Sequence, residues 1–382
     1  MSEVFCASVG SQLHIYDLDG GGARLSYSIS LDDAVQYGCV NAATKTVYFA
    51  TSDGGPYNSG SRNLLHALAL PARGKPYAPI CDAVVLPSRA IHVSLDAKRE
   101  HVIVTFNKPA AFEVYGLDAR GCPSTRTHTR KDLGVGPHQG LVSPDNEVLI
   151  ISERGNDAIG TGAPISGAMR VYDYSDGAAT HRQTVTSPWA DGFEPRNVLF
   201  HPTMDLVYLV LESQNRFLTY KMRDKHVVPE PMQMLELLAS PSDAKAGQIA
   251  GAIKMNHAGT KIYVANRAHG HVVKDGMRVF TGGENSIAYL SVQPDTGLTE
   301  IGGRIPVGGI GPRNISISAD DKWLVASSWM AHLVPTDRGE LDRVEAGFDI
   351  FQLNAEGVPR HAQWVPVETD ATTLFWSGFL PA

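Results

Sequence analysis

The chain has 382 residues, too many for one ordinary hydrophobic core, so it calls for two domains or one repeat architecture. Its formal net charge of −7 argues against a general binder of nucleic acid or of acidic membranes. Hydrophobic content of 43% and charged content of 19% are those of a soluble globular protein, and 37 Gly and 23 Pro, scattered rather than tandem, point to many turns instead of a disordered tail.

The first residues, MSEVFCASVG, have no basic segment and no long apolar core, so no signal peptide is read there. No apolar run approaches a membrane span. The segment VFCASVGSQLHIYDLD then reads as two strands. Six further segments follow: VQYGCVNAATKTVYFATS, SRAIHVSLDAKREHVIVTFN, PHQGLVSPDNEVLIISER, PRNVLFHPTMDLVYLVLES, AGAIKMNHAGTKIYVANR and PRNISISADDKWLVASSW. Each is a strand, a tight polar turn and a second strand. Each is followed by a later strand, in five of the six with an aromatic residue near its end: LLHALAL, then AAFEVYGL, AMRVYDY, RFLTYKM, NSIAYLSV and FDIFQLN. The turns are anchored at Asn41, Ser94, Ser143, His201, Asn256 and Ser318. These lie roughly 50 to 60 residues apart, the spacing of a four-stranded propeller blade with its loops. Only PMQMLELLASPSDA (231–244) has any helical character, and it reads equally well as a strand leading into a loop. TLFWSGFLP near the C-terminus reads as one more inner strand.

The expected fold is therefore all-β: a seven-bladed β-propeller of four-stranded blades, one domain over residues 1–382, closed by pairing of the N- and C-terminal strands. Two separate β-sandwiches are disfavoured because the repeat spans the chain without a linker. The WD dipeptides and paired glycines of common scaffold propellers are missing from the expected positions. The four cysteines, Cys6, Cys39, Cys81 and Cys122, form no CxxC and read as free thiols in a reducing, cytoplasmic compartment.

In a blade, the innermost strand enters and the second strand exits at the same end of the central channel. Five residues before the anchors stand Gln36, Arg89, His138, Arg196, Gly251 and Arg313. Near the exits of the second strands stand Ser52, Asn107, Glu153, Glu212, Arg267 and Ser328. Strand ends are commonly polar because they meet solvent, which accounts for Ser52 or Gln36 taken singly. Arginine directly after proline, in PRN at 195–197 and again at 312–314, is not so easily dismissed, because proline fixes the direction of entry. Charges that meet at a channel need partners or a ligand.

The stretches GPHQGLVSPDN, PRNVLFHP, YLVLESQN, IYVANR and GPRNISISADDKW resemble the seven-bladed lactonase family, which includes propeller-type 6-phosphogluconolactonases and fungal carboxymuconate cyclising enzymes. The resemblance runs over nearly the whole chain. It implies a site made of His138, Arg196, Glu212 and Arg267. Insertions at 52–63, 154–169 and 267–285 depart from a minimal blade and point to a covered, specialised pocket.

Lactone opening needs a base for water, donors for the oxyanion, an acid for the leaving oxygen, and groups that hold the substrate. His138 suits proton transfer, and Glu212 either activates water or orients His138 or an arginine. Arg196 and Arg267 suit a carboxylate or a developing oxyanion. Arg313, Arg89, Gln36, Asn107, Glu153, Arg154, Ser328 and Trp329 are the expected substrate-binding residues. The favoured substrate is a small anionic sugar-acid lactone, of the aldono or aldaro type, opened without a metal or other cofactor. The alternatives are a lactone-forming cycloisomerase acting on a carboxymuconate-like dicarboxylate and a non-catalytic binding propeller. No nucleic-acid or membrane partner is expected, and the chain reads as a monomer or weak homo-oligomer. His269 and His271 lack a nearby third ligand, and the arginines would repel a calcium ion from Glu153, Asn107 and Glu212. There is no CxxCH for haem and no GxSxG nucleophile elbow.

Overall fold

The computed structural model describes residues 3–56, 58–70, 77–156, 165–187, 189, 192–368 and 373–381. Their strands form seven radial sheets and one small accessory sheet. The inner strands are Ala34–Asn41, Ala90–Leu95, Pro137–Val142, Pro195–Phe200, Gln248–Met255 and Pro312–Ile317 for the first to sixth blades, and Ser377–Leu380 for the seventh. Each inner strand lies beside the next, and Ser377–Leu380 lies beside both Pro312–Ile317 and Ala34–Asn41, so the ring closes.

The seventh blade joins the two ends of the chain. Ser377–Leu380 pairs antiparallel with Glu3–Val9, Val4 opposite Leu380 and Ala7 opposite Ser377. The N-terminal part supplies three strands of this blade, one more than its sequence suggested: Gly22–Ser30 is the outermost. The segment 231–244 resolves as a strand, Gln233–Glu236, followed by a single 3-10 turn over Pro241–Asp243.

Both faces of each blade are covered by neighbours, which explains the runs of consecutive apolar residues in the second strands, such as the fully buried Leu206–Leu211. Seven buried apolar clusters fill the seven gaps between adjacent blades. Buried tyrosines also clasp one blade to the next: the hydroxyls of Tyr48, Tyr208 and Tyr263 donate to the carbonyls of Gly121, Gly297 and Gly357, at 2.7, 2.8 and 2.7 Å. Each of these glycines has positive φ, and at each a Cβ would crowd the tyrosine hydroxyl.

The turns after the inner strands are held by side-chain acceptors. Asn41, Ser143, His201, Asn256 and Ser318 accept backbone N–H groups of their own turns, as their position in the repeat predicts. In the second blade, however, the anchor is Asp96, whose Oδ1 accepts from Glu100 and His101, while Ser94 donates across to Gly140 of the third blade. The second-blade register is therefore shifted by two, and Ile91, not Arg89, is the counterpart of His138.

The accessory sheet consists of two hairpins. His271–Lys274 with Met277–Phe280 springs from the fifth blade, and His332–Pro335 with Leu341–Val344 from the sixth. They join at Val279 and Leu333. Ala268, Phe280 and Ile310, with Val334 and Val344, pack the sheet onto the end of the ring where Arg267 and Ser328 stand. No helix among the described residues is long and apolar enough to cross a membrane.

Candidate functional site

One irregularity recurs in all six blades that begin with a strand–turn–strand unit. The register between inner and second strand slips at Gln36, Ile91, His138, Arg196, the pair Gly251–Ala252, and Arg313. In the third blade Pro137 pairs with Glu153 and Gln139 with Ser152, leaving His138 without an opposite residue. Arg196 and Arg313 are left over in the same way between Pro195 and Asn197 and between Pro312 and Asn314. A bulged residue leaves the ladder and its side chain is re-aimed. Here the bulges turn a ring of side chains into the channel mouth.

The mouth opens onto a pocket lined by Gln36, Tyr37, Arg89, Ile91, His138, Arg196, Asn197, Ala252, Arg313, Asn314 and Phe375. Five of the expected site residues thus line one cavity: His138, Arg196, Arg313, Arg89 and Gln36. Tyr37, Asn197, Asn314 and Phe375 were not foreseen. The first three each follow a bulged residue, so the bulge register reveals them. Phe375 precedes the seventh inner strand and has no counterpart in the repeat.

Behind the pocket wall, Glu212 draws three arginines together. Its Oε1 accepts from Arg196 and, at 2.7 Å, from Arg267, and its Oε2 accepts from Arg154 at 2.5 Å. Burial alone would raise the Glu212 carboxyl, but Arg196, Arg154 and Arg267 override it and hold it well below the usual carboxylate range. Burial, then the neighbouring guanidinium of Arg267, pushes Arg196 down to about 9; burial pushes Arg267 down to about 10. Both remain cations at neutral pH.

His138 is buried, and its Nδ1 is sealed with no partner among the described residues, which leaves Nε2 open to the pocket. Burial first, then Arg196, Arg154 and Arg313, lowers its pKa well below the ordinary histidine value, so the ring is neutral at pH 7. The Nε atoms of Arg196 and Arg267 are likewise buried and unpartnered. Buried polar atoms without partners are rare, and three of them fall on residues of this one cluster.

Other expected residues lie elsewhere. Glu153 is engaged by Arg170 at 2.6 Å and by the Gly134 amide at 2.8 Å, and it does not line the pocket. It is occupied because its blade carries its own arginine on the adjacent strand. Ser328 Oγ is buried behind Gly309, and Asn107 ends its strand outside the pocket. None of these three, drawn from the second-strand exits, lines the pocket. Ser52 likewise does not line it and donates to Asn63 at 2.6 Å. Trp329 does reach the mouth, through Arg313. His269 stands at the foot of the first hairpin, its Nδ1 sealed and its ring held to about 4 by burial and by Arg267.

Among the described residues no three His, Cys, Asp or Glu side chains form a group able to hold a metal ion. Of the insertions, 157–164 lies outside the described residues. In 52–63, Asp53 gathers the amides of Ser61 and Arg62 and the Ser61 hydroxyl.

Comparison with known proteins adds an independent line. A family model described as "Lactonase, 7-bladed beta-propeller" matches residues 6–336. A 6-phosphogluconolactonase of Bacillus subtilis is 23% identical over 237 residues, 62% of each chain, so the match spans less than two thirds of that relative. A 6-phosphogluconolactonase of Yersinia enterocolitica is 23% identical over 267 residues, 69% of this chain and 73% of the relative. The structure of a periplasmic gluconolactonase of Pseudomonas aeruginosa superposes with a TM-score of 0.77 at 16% identity, covering 100% of this chain and 99% of that one. At that identity the likeness speaks for the fold.

Proposed function

The chain belongs to the family of seven-bladed β-propeller lactonases, a family of enzymes, and from that premise we propose that it hydrolyses a small anionic sugar-acid lactone to the open acid without a metal ion. The observation that carries this reading is His138: a neutral imidazole with one nitrogen sealed and the other open to a pocket rimmed by arginines.

A neutral imidazole accepts a proton. His138 Nε2 takes one from water as the water oxygen attacks the lactone carbonyl carbon. The negative charge that develops on the carbonyl oxygen meets the guanidinium of Arg196. The ring C–O bond then breaks, and the proton passes from His138 to the departing alkoxide. Glu212, both of whose carboxylate oxygens are engaged by guanidiniums and which does not line the pocket, is not the base in this scheme. Its task is to fix Arg196, Arg267 and Arg154, so that charge stabilisation needs no rearrangement at the moment of reaction. A cation at this mouth would face the three arginines that line it, Arg89, Arg196 and Arg313, which supports a metal-independent reaction.

The two reactions start from different forms of His138. The lactone-forming cycloisomerase delivers a proton to carbon and starts from the imidazolium, whereas burial, with three guanidiniums, leaves the resting ring neutral, the form from which hydrolysis starts. The four free thiols suit a reducing compartment, and a cytoplasmic location goes with this reading.

The test is acid release from a panel of aldono- and aldarolactones at a pH where spontaneous opening is slow. At least one lactone opens faster than the blank, and His138→Ala and Arg196→Ala lose that excess. If no lactone exceeds the blank, the hydrolase reading is wrong.

A further inference from the structure

Arg89, Arg196 and Arg313 line this mouth, and Arg196 shares one carboxylate, Glu212, with Arg154 and Arg267 behind the wall. Arg89 donates to the Gln36 amide oxygen at 2.8 Å. Arg313 has neither a carboxylate nor a hydrogen-bond acceptor among the described residues, although it lines the pocket. Aromatic rings hold it instead. Its Cζ lies 4.9 Å from the centre of the Phe375 ring and 5.6 Å from that of Trp329. The two rings are themselves stacked, 6.5 Å apart and inclined by 28°. A guanidinium held by its face keeps its N–H edge free for a planar acceptor.

The rings are in turn fixed by the backbone. Gly311, at φ +70°, lies under the Trp329 indole, and a Cβ there would stand 2.9 Å from Cδ1 and Nε1. The Trp329 carbonyl accepts from the Leu374 amide at 2.9 Å, and the Phe375 amide donates to Ser8 Oγ at 3.0 Å. So the joint between the two chain ends holds the shelf on which Arg313 rests. Burial, and to a smaller extent the crowding of Arg196 and Arg89 around it, pushes Arg313 down to about 9. The lactone carbonyl at His138 is uncharged and relieves little of that crowding. An anionic group elsewhere on the substrate relieves it directly.

We propose that Arg313, set by the aromatic shelf of Phe375 and Trp329, reads a second carboxylate on the substrate, so that the preferred lactone derives from an aldaric rather than an aldonic acid. Arg313 touches the substrate; Phe375 and Trp329 are positioning residues that act through it. The proposal rests on the lactonase reading for the word lactone, and on the pocket alone for the second anion.

Binding of open acids tests it without turnover. Titration calorimetry compares galactarate, with two carboxylates, gluconate, with one, and 6-phosphogluconate, with a phosphate in place of the second. Wild type binds galactarate about 10-fold or more tighter than gluconate, the scale of one charge-assisted fork. Arg313→Met abolishes the preference by weakening galactarate alone. Phe375→Leu and Trp329→Leu lose part of it, about 3-fold or more, with gluconate unchanged, and Phe375→Tyr keeps it. A merely structural role for the rings would weaken both acids alike. Equal affinity for the two acids in wild type, or retention of the preference in Arg313→Met, overturns the proposal. Tighter binding of 6-phosphogluconate than of galactarate overturns the carboxylate assignment. If the binding pattern holds but no lactone is opened, the hydrolase reading falls and the anion reader stands. If lactones are opened with no diacid preference, the reverse is true.

Discussion

On the side of the mouth built by the third to fifth blades, Arg154, Arg196 and Arg267 close on Glu212. On the side built by the sixth, first and second, Arg313 lies on two aromatic rings and Arg89 on an amide. The residue type is the same, but its counter-charge is supplied differently. A guanidinium tied to a buried carboxylate has its charge partly met and its position fixed, which in the proposed mechanism makes it part of the reaction's electrostatic wall. A guanidinium held by π-faces and amides is fixed as firmly but keeps its charge available. Under the proposed mechanism, the contrast separates the groups that stabilise a transition state from those that select a substrate.

The most severe way to break it is Glu212→Ala. Removing the shared carboxylate leaves three crowded guanidiniums, two of them fully enclosed, and urea unfolding is expected to register a loss of about 3–5 kcal/mol, with activity gone. His138→Ala is the next largest. Single-turnover kinetics should register about 10²–10⁴-fold slower opening, while the urea midpoint moves little because the ring makes no hydrogen bond within the protein.

Acid titration sharpens the contrast from another direction. Burial lowers His138, His92, His269 and His332, the last three to about 3, 4 and 4. The unfolded chain therefore binds protons first, at about pH 6.5, while the folded chain does not. Stability contributed by these rings is present above pH 6.5 and declines as pH falls toward the folded values. Thermal melts at pH 7.5, 6 and 5 should show a progressive drop, smaller in a His92→Gln background. Were the melting temperature flat over this range, the rings would not be neutral in the fold. The mildest change is Gln36→Ala. It frees Arg89 without touching its charge, and KM should shift only a few-fold, for about 1 kcal/mol or less.

The repeat made the ring legible because each blade needs the same strand, turn and strand, and the turn acceptors Asn41, Ser143, His201, Asn256 and Ser318 announce the period directly. The second blade misled because it places two polar residues two apart, Ser94 and Asp96, and only the hydrogen bonds tell which one closes the turn. Arg89 reaches the pocket all the same, from a position outside the bulge register. The entrances of the inner strands read well. The exits of the second strands read poorly: Glu212 and Arg267 gather at the site, whereas Glu153, Asn107, Ser328 and Ser52 do not line the pocket. A polar residue at a strand end carries no mark of which way it faces when its partner, such as Arg170 for Glu153, comes from the third strand of the same blade. Phe375 was out of reach of any repeat, because it stands in the one segment that leads into the ring's closure.

The bulges carry a consequence for how such a site changes over evolutionary time. A residue outside the ladder contributes no pairing to its sheet, so replacing it alters the mouth without renegotiating the blade. The ring itself contains the precedent: the same slot holds a glutamine in the first blade, isoleucine in the second, histidine in the third, arginine in the fourth and sixth, and in the fifth a glycine next to alanine. Six interchangeable sockets on a fixed frame let the chemistry of the mouth be rewritten one residue at a time, while the gaps between the blades stay packed as they are.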